Sequence, residues 1–394
     1  MTEVFVVSAA RTAIGTFGGS LKDIAPAELA AHVTKAAIAR SGVAPAEFGH
    51  VVFGQVIHTE ARDCYISRLA AVNGGIPVET PALTVNRLCG SGLQAIVSAA
   101  QSILLGDCEV ALAGGAENMS RSPFHLPSLR WGTRMGSAPV VDILDGALRD
   151  PFDRVLMGVT AENIAERYGI TREEQDALAV ESHTRASRAV KAGYFKDQIV
   201  GIDIKTRKGV ESYVTDEHVR HDAKIADFQS MRPVFKREGG TVTAGNASGI
   251  NDGAAAVVLA SGSAVARLNL KPMALLVAYA HAGVEPLFMG LGPIPATKAA
   301  LKKASLTMND IDTIEANEAF AVQAAAVARD LEFDPAKVNP NGSGISLGHP
   351  VGATGAIITV KALYELARTG GRRALVTMCI GGGQGIAALF ERVS

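Results

Sequence analysis

Apolar and polar positions switch between two periods along most of this chain. Short continuous apolar runs at 4–8, 51–57, 82–86 and 110–113 have the length and β-branched content of buried strands. Between them apolar residues recur every three to four positions. The stretch 26–40 opens on Pro26 and is followed by Gly42, the expected punctuation of a helix. In 90–105, Leu93, Ile96, Val97, Ala100 and Leu104 share one helical face. The second half repeats the order. A strand is expected at 274–280, a helix at 295–304, a short strand at 312–316, a helix from Glu318, a glycine-rich turn, a helix at 353–368, and a strand at 374–378 that ends in glycines. In both halves a turn carrying a reactive residue (Cys89, His349) opens a helix, and the next strand ends in glycines. The registers agree loosely, in the manner of an internal duplication.

Residues 120–247 break this rhythm. The part up to 158 is irregular, with Pro123, Pro127, Pro139, Pro151 and the chain's only tryptophan, Trp131. A polar helix is expected over 171–192, with Thr171 and Glu174 spaced as a capping box. Residues 216–237 are rich in charge. The region reads as an insertion carried on the first half, offering a surface to a polar ligand or another subunit.

Composition narrows the class. The 394 residues are enough for two or three domain-sized units. With 41 glycines and only 5% aromatic residues, tightly packed helix–sheet layers are favoured, and so an α/β fold. A net charge of −1 with no long run of one sign argues against nucleic-acid or membrane-surface binding. Binding of a specific anion by a few residues remains compatible with it. The first eight residues are too short and too acidic for a signal peptide, and no apolar run is expected to span a membrane. Four irregularly spaced cysteines (Cys64, Cys89, Cys108, Cys379) look like reduced thiols in a cytoplasmic enzyme.

Candidate chemistry gathers in three glycine-rich blocks. In Asn86-Arg87-Leu88-Cys89-Gly90-Ser91-Gly92, a cysteine precedes a helix, whose free N–H groups and dipole are expected to favour the thiolate. The alternative is a small buried hydrophobe. His349 lies among Gly344, Gly348, Gly352 and Gly355, and a thiol–imidazole pair is the usual way to activate such a nucleophile; a structural histidine is the competing reading. Cys379 precedes Gly381-Gly382-Gly383-Gln384-Gly385 after a strand. It is open as a redox partner or an acid/base. Metal ligation is disfavoured by the lack of a Cys-x-x-Cys pair, His218 and His221 lying in a charged stretch. The terminal glycines have no helix or acidic partner behind them, which argues against a dinucleotide fingerprint.

These blocks, with Asn317-Glu318-Ala319-Phe320, resemble the four signatures of the thiolases, and more narrowly the acetyl-CoA acetyltransferase and β-ketothiolase branch. Thr243-Ala244-Gly245-Asn246-Ala247-Ser248-Gly249 and Met289-Gly290-Leu291-Gly292-Pro293 also match, so the resemblance runs in order along essentially the whole chain. It implies a five-layered αβαβα fold of two similar halves: 1–120 completed by 248–270, an inserted loop domain at 121–247, and 271–394. It implies Cys89 as the acyl acceptor, His349 as its activator and Cys379 as the acid/base at the α-carbon. Asn317, through a water, and His349 would form one oxyanion hole, and the N–H groups of Cys89 and Gly381 the other. Met157, Arg220, Phe235, Ala244, Ser248, Met289 and Phe320 match positions lining the coenzyme A site. Acetyl-CoA, acyl-CoA and CoA are the implied partners, as substrates with no permanently bound cofactor, and residues 120–145 resemble a tetramerisation loop, implying a homotetramer. Leu156 departs from the branch, where histidine is usual, and is expected to bear on acyl-chain preference. A ketoacyl synthase of the same fold, or a non-catalytic acyl-CoA carrier, are the competing expectations. The first would pair its cysteine with His-His or His-Asn, and the second would have lost Cys89, His349 or Cys379.

Overall fold

The computed structural model describes residues 2–206 and 209–393. Its main strands are β1 (Val4–Arg11), β2 (His50–Gly54), β3 (Ala82–Val85), β4 (Val110–Asn118), β5 (Asn251–Ser261), β6 (Ala274–Gly283), β7 (Thr313–Ala316), β8 (Arg373–Ile380) and β9 (Gln384–Arg392). Its main helices are α1 (Pro26–Ser41), α2 (Ile66–Gly74), α3 (Ser91–Leu105), α4 (Met157–Tyr168), α5 (Arg172–Lys191), α6 (Pro293–Ala304), α7 (Ala321–Asp330) and α8 (Thr354–Thr369).

The internal duplication is visible in strand order. One half runs β1-β5-β4-β2-β3 and the other β6-β9-β8-β7, with Val338 bridged in parallel to Ile314 at the position of β3. Strand directions match pair by pair, and β1 and β6 carry register shifts at corresponding places, Val6/Ser8 and Leu276/Ala278. The halves meet where β1 pairs antiparallel with β6, at Phe5–Leu275 and Val6–Ala274.

Three apolar slabs separate five layers. α1 and α2 cover the outer face of the first half-sheet, α6 the outer face of the second, and α3 with α8 fill the space between. The stretch 88–105 is long and apolar enough by composition to cross a membrane, contrary to the expectation from sequence. The reason is its central place: sheet and helix cover α3 together, and Leu93, Ile96, Val97 and Ala100 are fully buried.

Several boundaries differ from the sequence pattern, each for a physical reason. β4 continues through Gly114 and Gly115 instead of ending at them. A Cβ on Gly115 would lie 2.3 Å from the Gly352 carbonyl, so glycine is what lets this strand pass beneath the neighbouring loop. β2 ends at Gly54: after Gln55, whose N–H still reaches Val85 O, the amides of Val56 and Ile57 turn to donate to the Glu117 carboxylate. α7 starts at Ala321, not Glu318, because 319–321 is stitched as extended chain to 246–248: Ser248 N–H donates to Ala319 O at 2.9 Å and Ala321 N–H to Asn246 O at 2.8 Å. β5 and β9, unmarked by sequence period, are each paired on both sides and largely buried.

The insertion is fastened to the first half by a buried ion pair. Arg11 donates to both oxygens of Asp216, at 2.8 and 3.0 Å, and to Gln198 at 2.7 Å. α5 opens on the expected capping box of Thr171 and Glu174.

Candidate active site

Close packing of α3 on α8 brings the two reactive turns together. A Cβ on Gly92 would lie 2.6 Å from the Ala356 nitrogen, and one on Gly355 2.3 Å from the Leu93 nitrogen. The missing side chains let the helix starts meet, with Cys89 just before one and His349 just before the other.

Cys89 sits on a tight turn. Leu88 has a φ of 45°, a left-handed conformation uncommon for a branched residue, and Ser91 Oγ braces the turn by donating to Leu88 O at 2.7 Å. The N–H groups of Gly90 and Ser91 donate to Arg87 O and Leu88 O, so they are not free for the thiol. Burial pushes the Cys89 thiol up to about 11, and the backbone N–H groups of Gly381 and Cys89 that face the sulfur offset this only in part. The expected thiolate-favouring helix end is therefore corrected. Desolvation outweighs it, and the resting group is a neutral thiol.

Gly381 reaches Cys89 from the β8–β9 hairpin, whose turn uses Gly382 and Gly383 at φ of 78° and 83°. Cys379, on β8, is buried, and its thiol is held well above the ordinary range by burial and by the neighbouring Cys89.

His349 is fixed at three points. Its backbone N–H donates to Asn251 Oδ1 at 2.9 Å, Nδ1 lies 2.6 Å from Thr354 Oγ1, and Nε2 lies 3.4 Å from Asn317 Nδ2. Burial lowers it to about 4, so the ring is neutral near pH 7. Asn317 follows β7; its backbone N–H donates to Thr377 O, and its Oδ1 is buried without a hydrogen-bond partner among the described residues.

The two thiols, His349 and Gly381 line one inner chamber of ≈ 70 Å³, together with Met157, Ser248, Met289 and Phe320. Ile57, Leu88, Met119, Leu148 and Val351 make much of its wall. An outer chamber of ≈ 320 Å³ shares Met157, Ser248, Phe320 and His349 and adds Phe235, Ala244 and Leu156. Phe235 and Phe320 meet edge-on, ring centroids 6.3 Å apart. Among the described residues, neither lining includes an Asp, Glu, Lys or Arg. A pocket of ≈ 390 Å³ beside Phe195 and Val214 contains none of these groups.

Most residues singled out by sequence thus converge, with Asn317 behind His349. Arg220 lies apart. It is exposed, its guanidinium 5.4 Å from the Phe228 ring centroid and its backbone N–H on His183, and it lines neither chamber. Leu156 lines the outer chamber and not the inner one that holds the sulfurs.

Sequence reasoning missed Glu117, Asn251 and Thr354. Glu117 is wholly buried, accepts the N–H groups of Val56, Ile57 and Gly352, and is raised to about 8 because burial outweighs those bonds. Its place after Gly114-Gly115 was the one available signal. Thr354 stood inside the His349 block without a role.

Two thiols and an imidazole in a small apolar chamber, with N–H groups turned toward one sulfur, suit acyl transfer through a thioester and stabilisation of an oxyanion. Residues 4–263 match the family description "Thiolase, N-terminal domain" and residues 270–392 "Thiolase, C-terminal domain". The chain is 67% identical to the Beta-ketothiolase BktB of Cupriavidus necator, over 99% of each chain. It is 50% identical to an acetyl-CoA acetyltransferase of Syntrophomonas wolfei, again over 99% of each. Among solved structures, human mitochondrial 3-ketoacyl-CoA thiolase superposes with a TM-score of 0.98 at 45% identity, covering 100% of this chain and 99% of that one. The human mitochondrial 3-ketoacyl-CoA thiolase solved in complex with CoA gives 0.97 at 44% identity, covering 100% and 98%.

Proposed function

The chain belongs to the thiolase family, as a CoA-dependent acyltransferase that reversibly condenses acetyl-CoA with acyl-CoA to 3-ketoacyl-CoA, and from that premise we propose how its residues divide the work. The observation that carries the proposal is the shared inner chamber of Cys89, Cys379 and His349.

Cys89 is the acyl acceptor. Its thiol and the His349 imidazole rest neutral, about 11 against about 4, so the proton leaves as the sulfur attacks and not before. A bond forms from Cys89 Sγ to the acyl carbon, the N–H groups of Cys89 and Gly381 receive the oxyanion, and CoA departs with the proton from His349. Acylation leaves Cys89 without an ionisable thiol, so no thiolate there can oppose a Cys379 thiolate in the second half of the reaction. Cys379 then passes its proton to His349 and takes one from the α-carbon of acetyl-CoA. The enolate oxygen rests on the imidazolium and on a water held by Asn317. Its carbon attacks the acyl group, and the departing Cys89 sulfur recovers the proton from His349, leaving every group as it began. Each aimed oxyanion donor is worth roughly 10²–10³ in rate.

CoA thioesters enter as substrates through the outer chamber past Phe235, Ala244, Ser248, Met157 and Phe320 toward Met289 in the inner chamber, with no other cofactor held, and acyl chains somewhat longer than acetyl are accepted by the apolar inner wall. A homotetramer is supported by the exposed Phe124, Trp131, Met135 and Val140, and a cytoplasmic location by four free thiols. Cys379 beside Cys89 leaves the ketoacyl synthase and carrier readings without support.

Incubation with acetyl-CoA alone, followed by intact mass and peptide mapping, is expected to place one acetyl group on Cys89. Cys379→Ser should still be acetylated there but lose condensation and α-proton exchange. Acetylation confined to Cys379, or near wild-type condensation by the variant, would refute the division of roles.

A further inference from the structure

Which nitrogen of His349 carries the proton decides whether the ring takes a proton from the chamber or offers one to it. Nδ1 lies 2.6 Å from Thr354 Oγ1, and that hydroxyl lies 2.9 Å from the Pro350 carbonyl oxygen. The carbonyl can only accept, and the hydroxyl has a single proton to give. With that proton on Pro350, Thr354 presents lone pairs to His349, so Nδ1 is the donor and Nε2 is left unprotonated. Nε2 is the nitrogen turned to the Asn317 amide, at 3.4 Å from Nδ2. Thr354 is 2% exposed, so water does not compete for its hydroxyl. It is also the first residue of α8, a 16-residue helix packed in the central layer, which gives the hydroxyl a rigid mount.

We infer that Thr354 is a positioning residue whose hydroxyl sets the His349 tautomer, with Nδ1 protonated and Nε2 free to take the Cys89 proton. The inference rests on the reading of His349 as the group that activates Cys89. No group of the substrate touches Thr354 in this role; it acts only through the ring.

The test uses full-length protein labelled with ¹⁵N-histidine, read by solid-state NMR, in the wild type, Thr354→Val and Thr354→Ser. Valine keeps the branched shape and removes the hydroxyl; serine keeps the hydroxyl. The His349 signal, identified by its loss in His349→Gln, should show Nδ1 protonated in the wild type and in Thr354→Ser, and shift toward the Nε2-protonated form in Thr354→Val. Acetylation of Cys89 should fall about 10- to 100-fold in Thr354→Val and return to within a few-fold of wild type in Thr354→Ser. A merely structural role would lower stability without moving the tautomer. An Nε2-protonated ring in the wild type overturns the inference, whether or not the valine variant folds. So does a valine variant with an unchanged ring signal. Wild-type acetylation in His349→Gln would instead sink His349 as the activator, while the spectra still decide what Thr354 does to the ring.

Discussion

At the scale of single residues, burial governs the chemistry more than local sequence does. Cys89 is held up to about 11 although two N–H groups face its sulfur. A thiol with a raised value stays protonated through neutral pH, so its thiolate fraction, and its reaction with iodoacetamide, should rise about tenfold per pH unit from pH 7 to pH 10. Mass-spectrometric alkylation rates checked at Cys89 would test this; a plateau above pH 6 would mean a preformed thiolate–imidazolium pair. Leu156 belongs to the same scale. Its place in the outer chamber, away from the sulfurs, sets up a test of the expectation that it bears on acyl-chain preference. Leu156→His should raise or lower KM for CoA thioesters while leaving the ratio of kcat/KM across three- to six-carbon chains within about twofold. A shift of that ratio toward acetoacetyl-CoA would return chain selection to Leu156. Otherwise selection rests with the inner wall of Ile57, Met119, Leu148 and Val351.

At the scale of elements, the active site depends on how closely α3 and α8 approach. Neither helix carries both reactive groups, and the contact at Gly92 and Gly355 is what joins them. Gly355→Ala adds one methyl group against the Leu93 backbone, which cannot yield as a flexible side chain does. Overpacking of this kind costs about 1–3 kcal/mol. The variant should unfold at lower urea and acetylate Cys89 more slowly even where it is fully folded, because the two turns are pushed apart. Unchanged acetylation with reduced stability would separate the crossing from the chemistry. The β8–β9 hairpin supplies the third component, and its left-handed Gly382 and Gly383 aim the Gly381 N–H at the same sulfur.

At the scale of the whole molecule, the duplicated halves and the insertion have different tasks. The halves supply the site in common: Cys89 from one, His349, Cys379 and Gly381 from the other. The insertion adds Met157, Phe235 and Ala244 to the entrance, and is pinned by Arg11 and Asp216. Its outer stretch leaves Trp131 90% and Met135 96% exposed, and these are the side chains that the proposed tetramer would cover. Replacing both by aspartate should reduce the assembly to a smaller species by sedimentation velocity while leaving Cys89 acetylation by acetyl-CoA intact. An unchanged sedimentation coefficient would remove this surface from the assembly.

Much of this was legible in the chain. Periodicity marked the alternating strands and helices, because each buries one face and repeats at its own pitch. The glycine-rich blocks marked Cys89, His349, Cys379 and Gly381, because reactive side chains need backbone to come close. The capping box at Thr171 and the α/β class followed from local rules alone. β5 and β9 did not show, since they open on Asn251-Asp252-Gly253 and Gln384-Gly385, which read locally as turn, and only pairing on both sides makes them strands. Arg220 was drawn to the site by motif position and lies outside both chambers. The thiol's raised value, the three amides gathered by Glu117 and the Thr354 contact were decided only in three dimensions. Desolvation and hydrogen-bond geometry depend on what packs around a group: Glu117 gathers amides from 60 to 235 residues away, and even the Thr354 contact, five residues from His349, depends on how the turn before α8 folds back.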